Sequence, residues 1–131
     1  MLTGLENNLK VATWEYDFAK DAGAIGAISL RGPKLPVGAI VLGAYIDVEI
    51  APLSAGAATI ALKITGADDV LVATAIATFS LNALLIGVPD LATVADAIRV
   101  ATTAKGVTMT IADFALTAGK FNVSCQYVTP R

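Results

Sequence analysis

The chain contains no histidine and a single cysteine, Cys125. Without histidine there is no Ser–His–Asp relay, and the commonest ligand of zinc and iron is missing. One thiol cannot close an intramolecular disulfide, so no cystine framework stands in for a core. Charge is sparse: 15% of residues carry it, against roughly 25% in ordinary soluble domains. Nine Lys and Arg against eleven Asp and Glu leave a net charge of −2. A nucleic-acid binder needs a basic stripe to displace counterions from phosphates, and no such stripe is present. Aromatic residues amount to 6% and are not interleaved with basic ones, which argues against a stacking groove for single strands. The glycines compose neither a Walker loop nor G-x-G-x-x-G, so no cofactor is expected.

What remains is apolar. Hydrophobic residues make up 56% of 131, the reverse of a disordered composition and enough for one core. The longest uncharged run, Val70 to Val88, approaches the length of a membrane span. It contains Thr74, Thr78, Ser80 and Asn82, is flanked by Asp69 and Asp90, and has no basic anchor nearby. The opening segment MLTGLENNLK lacks the basic and apolar regions of a signal peptide. A soluble protein with no membrane partner is expected.

Alternation dominates the rest of the pattern. Trp14, Tyr16 and Phe18 fall on one face of a strand, with Thr13, Glu15 and Asp17 opposite. Ala24 to Leu30 follows as a second strand, closed by Gly32, Pro33 and Pro36. Ile40, Leu42, Ala44, Ile46, Val48 and Ile50 read as one continuous apolar face; Asp47 and Glu49 end the other. Ala58, Ile60, Leu62 and Ile64 form the next. Asp68 or Asp69 is placed to cap a short helix over Val70 to Phe79. Asn82 to Asp90 reads as an irregular connection, then Ala95 to Ala101, Gly106 to Ile111 and Lys120 to Val128 as strands. Seven or eight short strands with Gly, Pro and Asp between them predict an all-β antiparallel β-sandwich, jelly-roll-like, with at most one short helix near residues 69–79. Residues 1–9 are expected to form a flexible arm and residues 10–131 a single sandwich domain.

Few residues offer chemistry. The pairs Glu15/Asp17 and Asp47/Glu49 each share a strand face and resemble acid/base or calcium ligands. No nucleophile or base accompanies them, so they read as solvated faces opposite Lys63 or Lys10. Asp68 and Asp69 lack a D-x-D-x-D-G continuation and read as turn residues, so no metal site is expected. Cys125 sits in the apolar register of its strand as an inert thiol. Asn122-Val123-Ser124 matches a glycosylation sequon by chance, inside a strand. Trp14 with Tyr16 could stack on a sugar, but an aromatic stripe at period two belongs to a core. With only scattered carboxylates, lysines and hydroxyls, an enzyme is not expected. Apolar strand surface beyond what one small core absorbs predicts association into a homo-oligomer, or onto a larger assembly.

Three segments together carry a resemblance. Leu35-Pro36-Val37-Gly38-Ala39-Ile40-Val41 precedes the long strand, Ala58-Thr59-Ile60 leads into Gly66-Ala67-Asp68-Asp69, and Leu116-Thr117-Ala118-Gly119-Lys120-Phe121 opens the last strand. From about residue 10 onward the arrangement resembles the capsid decoration (cement) proteins of tailed bacteriophages. The resemblance implies a virion protein that forms a homodimer or homotrimer on the outer surface of the capsid and bridges neighbouring major capsid protein subunits. It brings no catalytic residues. In that setting the arm is expected to bind the partner through Leu2, Leu5 and Leu9. The alternative is a tail or fibre module that binds a host glycan through Trp14 or Tyr45.

Overall fold

The computed structural model describes residues 9–65, 69–86, 100 and 103–129. Its strands are β1 (Lys10–Asp17), β2 (Gly26–Ser29), β3 (Ile40–Ser54), β4 (Thr59–Lys63), β5 (Leu71–Ala75), β6 (Leu84–Ile86), β7 (Thr108–Ala112) and β8 (Leu116–Val128). A one-turn helix, α1 (Phe18–Asp21), and a 3-10 turn at Ile76–Thr78 complete the described elements. The strands form two four-stranded antiparallel sheets, ordered β1-β8-β3-β6 and β2-β7-β4-β5. The pairs β1–β8, β2–β7, β3–β6 and β4–β5 are those of a ribbon doubled at its middle. Pairing β8 to β3 and β7 to β4 rolls that ribbon into two layers, a jelly-roll-like β-sandwich of the expected class.

Period-two alternation explains the core. The first sheet sends inward Ala12, Trp14 and Tyr16 from β1, Ala44, Ile46 and Val48 from β3, and Phe121, Val123 and Cys125 from β8. The second answers with Ile60 and Leu62 from β4, Leu71 from β5, and Met109 and Ile111 from β7. The Phe121 ring lies 5.2 Å from Tyr16 and 5.6 Å from Phe79, both tilted. Two of the buried aromatics carry a polar tip, which needs a partner once water is excluded. Trp14 Nε1–H donates to Pro33 O at 2.6 Å, and Tyr16 O–H donates to Ala22 O at 2.6 Å. These two bonds fasten the loops after β1 and β2 to the core. The loop at Gly32 packs so closely that a Cβ there would lie 2.5 Å from Trp14 Cδ1.

The long strand departs from simple alternation. Its ladder with β8 shifts register between Val41 and Gly43, leaving Leu42 as the extra residue. A bulge reverses the parity of inward side chains. Ala39 is buried and Val41 packs against the core before it, whereas Ala44, Ile46 and Val48 are buried after it. Leu42, expected on the core face, is therefore 58% exposed. A second shift between Val48 and Ile50 turns Ile50 outward as well. Where the pair opens again near Pro52, Gly119 adopts φ +141°, and a Cβ there would come within 3.1 Å of Pro52 Cα. Only glycine satisfies both conditions.

Further expectations are corrected. Val70 to Phe79 is strand β5 followed by the 3-10 turn, not a helix, because β-branched Val72 and Thr74 suit an extended edge. Asn82 to Asp90 contains a strand, β6, at residues 84–86. Phe18 belongs to α1 rather than to β1, since the Asp17 carboxylate accepts from Ala19 N–H at 3.0 Å and starts a helical turn. β7 begins at Thr108 rather than Gly106. Of the strand expected at Ala95 to Ala101, all but Val100 lies outside the described residues, as do Asp68 and most of the arm. Val100 is not in a strand; it exchanges backbone bonds with Gly38 and Ala39.

Candidate interaction surfaces

Of the carboxylates singled out in the sequence, Glu15 and Glu49 sit in ion pairs and Asp17 caps a helix. Glu15 Oε1 lies 2.6 Å from Arg31 Nη1 and 3.8 Å from Lys20 Nζ. Asp17 caps α1, and its own N–H donates to Asp21 Oδ2 at 2.9 Å. Glu49 Oε2 meets Lys120 Nζ at 3.2 Å. These partners differ from the Lys63 and Lys10 expected, because Arg31 follows β2 and bridges to β1 at Glu15. Asp69 serves a turn, as expected, but it reaches backward: it accepts from Ile64 N–H at 2.7 Å, Thr65 N–H at 3.1 Å and Thr65 Oγ1–H at 2.5 Å. Among the described residues no group of three or more metal-ligating side chains gathers. Nor is any described helix long and apolar enough to cross a membrane.

Cys125 is wholly buried, and burial pushes its thiol up to about 12, so it stays protonated and unreactive. Trp14 is 1% exposed and cannot serve as a sugar platform. Tyr45 remains 41% exposed. Of the three arm residues, Leu9 is exposed at the start of β1, and Leu2 and Leu5 lie outside the described residues.

The outward face of the first sheet is ordered in rows by the ladder. One row runs Thr13, Ser124, Tyr45, Ile86; the next runs Glu15, Asn122, Asp47, Leu84. Each row ends in an apolar residue of β6, and the acids of the second row stand on β1 and β3. Leu84 and Ile86 are each 67% exposed, and Leu81 and the bulge residue Leu42 are exposed as well. Leu85, between them, turns inward against the core. Sequence reasoning missed this stripe for two reasons. The bulge moved Leu42 from the inner face to the outer, and three consecutive apolar residues in β6 show no alternation. The signal present was the uncharged Leu84-Leu85-Ile86 triplet itself, two residues past a turn at Leu81–Asn82.

At the end of the second sheet a recess of about 340 Å³ opens between the loops that precede β3 and β7. Lys34, Lys63 and Lys105 line it with Ser29, Thr65 and Thr108. Among the described residues no carboxylate lies within ion-pair distance of these three lysines.

No known family profile matches the chain, and no curated protein sequence does. Its fold does have solved neighbours. A chain in the cyanophage Pam1 capsid asymmetric unit superposes with a TM-score of 0.65 at 22% identity, over 94% of this chain and 86% of that one. A chain in the acid-stable capsid structure of Helicobacter pylori bacteriophage KHP30 gives 0.62 at 16% identity, over 95% and 90%. A chain in the capsid of Ralstonia phage GP4 gives 0.55 at 16% identity, over 92% and 84%. The shared feature is the whole sandwich, from end to end of chains of similar length.

Proposed function

We propose that this chain is a structural component of a phage virion, a small subunit that decorates the outer surface of the capsid and stabilises it by bridging neighbouring major capsid protein subunits. The observation that carries the reading is the likeness of the entire sandwich to chains of similar size found in three phage capsids. Features of the described residues support it: Glu15, Asp21 and Glu49 are held in ion pairs, the lone thiol is sealed, and an apolar stripe and a basic recess are exposed. These are features of a subunit that holds neighbours rather than one that transforms a substrate. A lattice of such contacts multiplies modest affinities through effective concentration. In this reading Leu2, Leu5 and Leu9 of the N-terminal arm lie on the capsid partner. Burial of Trp14 removes one of the two aromatic residues on which a glycan-binding module would depend.

Heating tests the reading. Particles from a phage genome carrying this reading frame are compared with particles from the same genome lacking it. The deletion particles are expected to release DNA at a lower temperature, and added purified chain to restore the difference. Equal release temperatures would count against the bridging role. Chain lacking residues 1–9 is expected to fold yet occupy fewer sites.

A further inference from the structure

We propose that two copies of this chain associate through antiparallel β6–β6 pairing about a two-fold axis at Leu85, joining their first sheets into one continuous eight-stranded sheet. This deepens the proposed role by naming the surface through which copies meet. It is read in the free protein, so its failure would leave the capsid reading to its own test.

Three observations lead there. First, edge strands are normally guarded by charge, proline, bulges or a covering segment. β1, at the opposite edge, carries Lys10, Glu15 and Asp17 and is bridged by Arg31. β5, an edge of the other sheet, has a register shift against β4. β6 is Leu-Leu-Ile, with neither charge nor proline, and among the described residues it pairs with β3 alone.

Second, the hydrogen-bonding parity fits. Val48 N–H donates to Ala83 O at 2.9 Å, so Ala83 turns its carbonyl toward β3. Alternation along an antiparallel strand then turns Leu85 toward β3 and the N–H and C=O groups of Leu84 and Ile86 toward the free edge. A two-fold axis at Leu85 sets Leu84 of one copy opposite Ile86 of the other, twice. Each such pair exchanges two backbone bonds.

Third, the rows match in charge. Pairing continues the row Asp47–Leu84 into Ile86 and Tyr45 of the second copy. Apolar residues meet at the seam, and the two Asp47 carboxylates stand in different rows, separated by the width of both β6 strands. The joined sheet doubles the exposed stripe of Tyr45, Leu84 and Ile86, centred on the axis.

Disulfide trapping tests the register. Cys125 is buried, so engineered surface thiols react without background. Leu84→Cys and Ile86→Cys proteins are oxidised separately and as an equimolar mixture. The mixture is expected to form cross-linked dimer at least tenfold faster than either protein alone, because only 84 and 86 lie opposite one another. Comparable rates in all three samples, or no dimer in any, would overturn the proposal. Sedimentation at increasing concentration supplies the second measurement. Wild type is expected to associate, Leu84→Lys/Ile86→Lys to stay monomeric with an unchanged circular dichroism spectrum, and Leu42→Lys, off the edge, to associate like wild type. Association that survives the double lysine variant would place the contact elsewhere.

Discussion

Arg31 grips Asp21 with two nitrogens: Nε lies 3.1 Å from Oδ1 and Nη2 lies 2.9 Å from Oδ2. Its third nitrogen, Nη1, reaches Glu15, and its backbone carbonyl accepts from Glu15 N–H at 2.9 Å. One arginine thereby ties the loop after β2 to α1 and to β1. A planar guanidinium suits such a fork, which a lysine could not form.

The hydrogen bonds from Arg31 hold the Asp21 carboxyl below its usual range. A carboxylate with a lowered folded-state pKa stabilises the protein above its unfolded value, and that contribution disappears as pH falls through the folded one. Asp21→Asn is therefore expected to lower the urea midpoint at pH 7. The gap from wild type should close as pH drops below about 4, the ordinary carboxylate value, and narrow in high salt. A gap independent of pH would show that the pair does not act through charge.

Phe121 is wholly buried and contacts the rings of both Tyr16 and Phe79. Phe121→Ala removes that bridge and leaves a cavity, at a cost of about 3–5 kcal/mol. Chemical denaturation of the two proteins measures it. A loss under about 1 kcal/mol, the scale of an ordinary point substitution, would mean that the packing between the sheets is looser than described.

The bulge makes a sharper prediction. Leu42 and Ile46 are four residues apart and would share a face in a regular strand, yet Leu42 is exposed and Ile46 is fully buried. Leu42→Ala is expected to change stability by no more than about 0.5 kcal/mol. Ile46→Ala is expected to cost about 2–5 kcal/mol. Equal losses at the two positions would contradict the register shift.

Burial raises the Cys125 thiol to about 12. Above the thiol's unperturbed value the unfolded chain loses its proton while the native state keeps it, so stability falls as pH rises toward 12. At pH 8 the native protein is expected to resist a thiol reagent that labels the urea-unfolded chain at once. Rapid labelling of the native protein would show that β8 opens locally.

Much of this fold was legible because one-sided burial writes itself into sequence as period-two alternation. Trp14 and Tyr16 in β1, Ile60 and Leu62 in β4, Met109 and Ile111 in β7, and Phe121, Val123 and Cys125 in β8 all face inward as the pattern predicted. What escaped was local. A bulge at Leu42 leaves no trace in composition. The short apolar runs of β5 and β6 carry no period that separates strand from helix or loop. At Phe18 a helix cap on Asp17 interrupted an alternation that continued on paper. The surface stripe escaped for the same reasons, since it is assembled from the bulge and from β6. The cationic partner of Glu15 was not legible, because it follows from the tertiary path of the loop at Arg31.

Image reconstruction of deletion particles, with and without added purified chain, tests whether this sandwich binds the capsid. Extra density is expected at regular positions on the outer surface, fitted by the two sheets and saturating with added protein. Particles that look identical with and without saturating chain would contradict it.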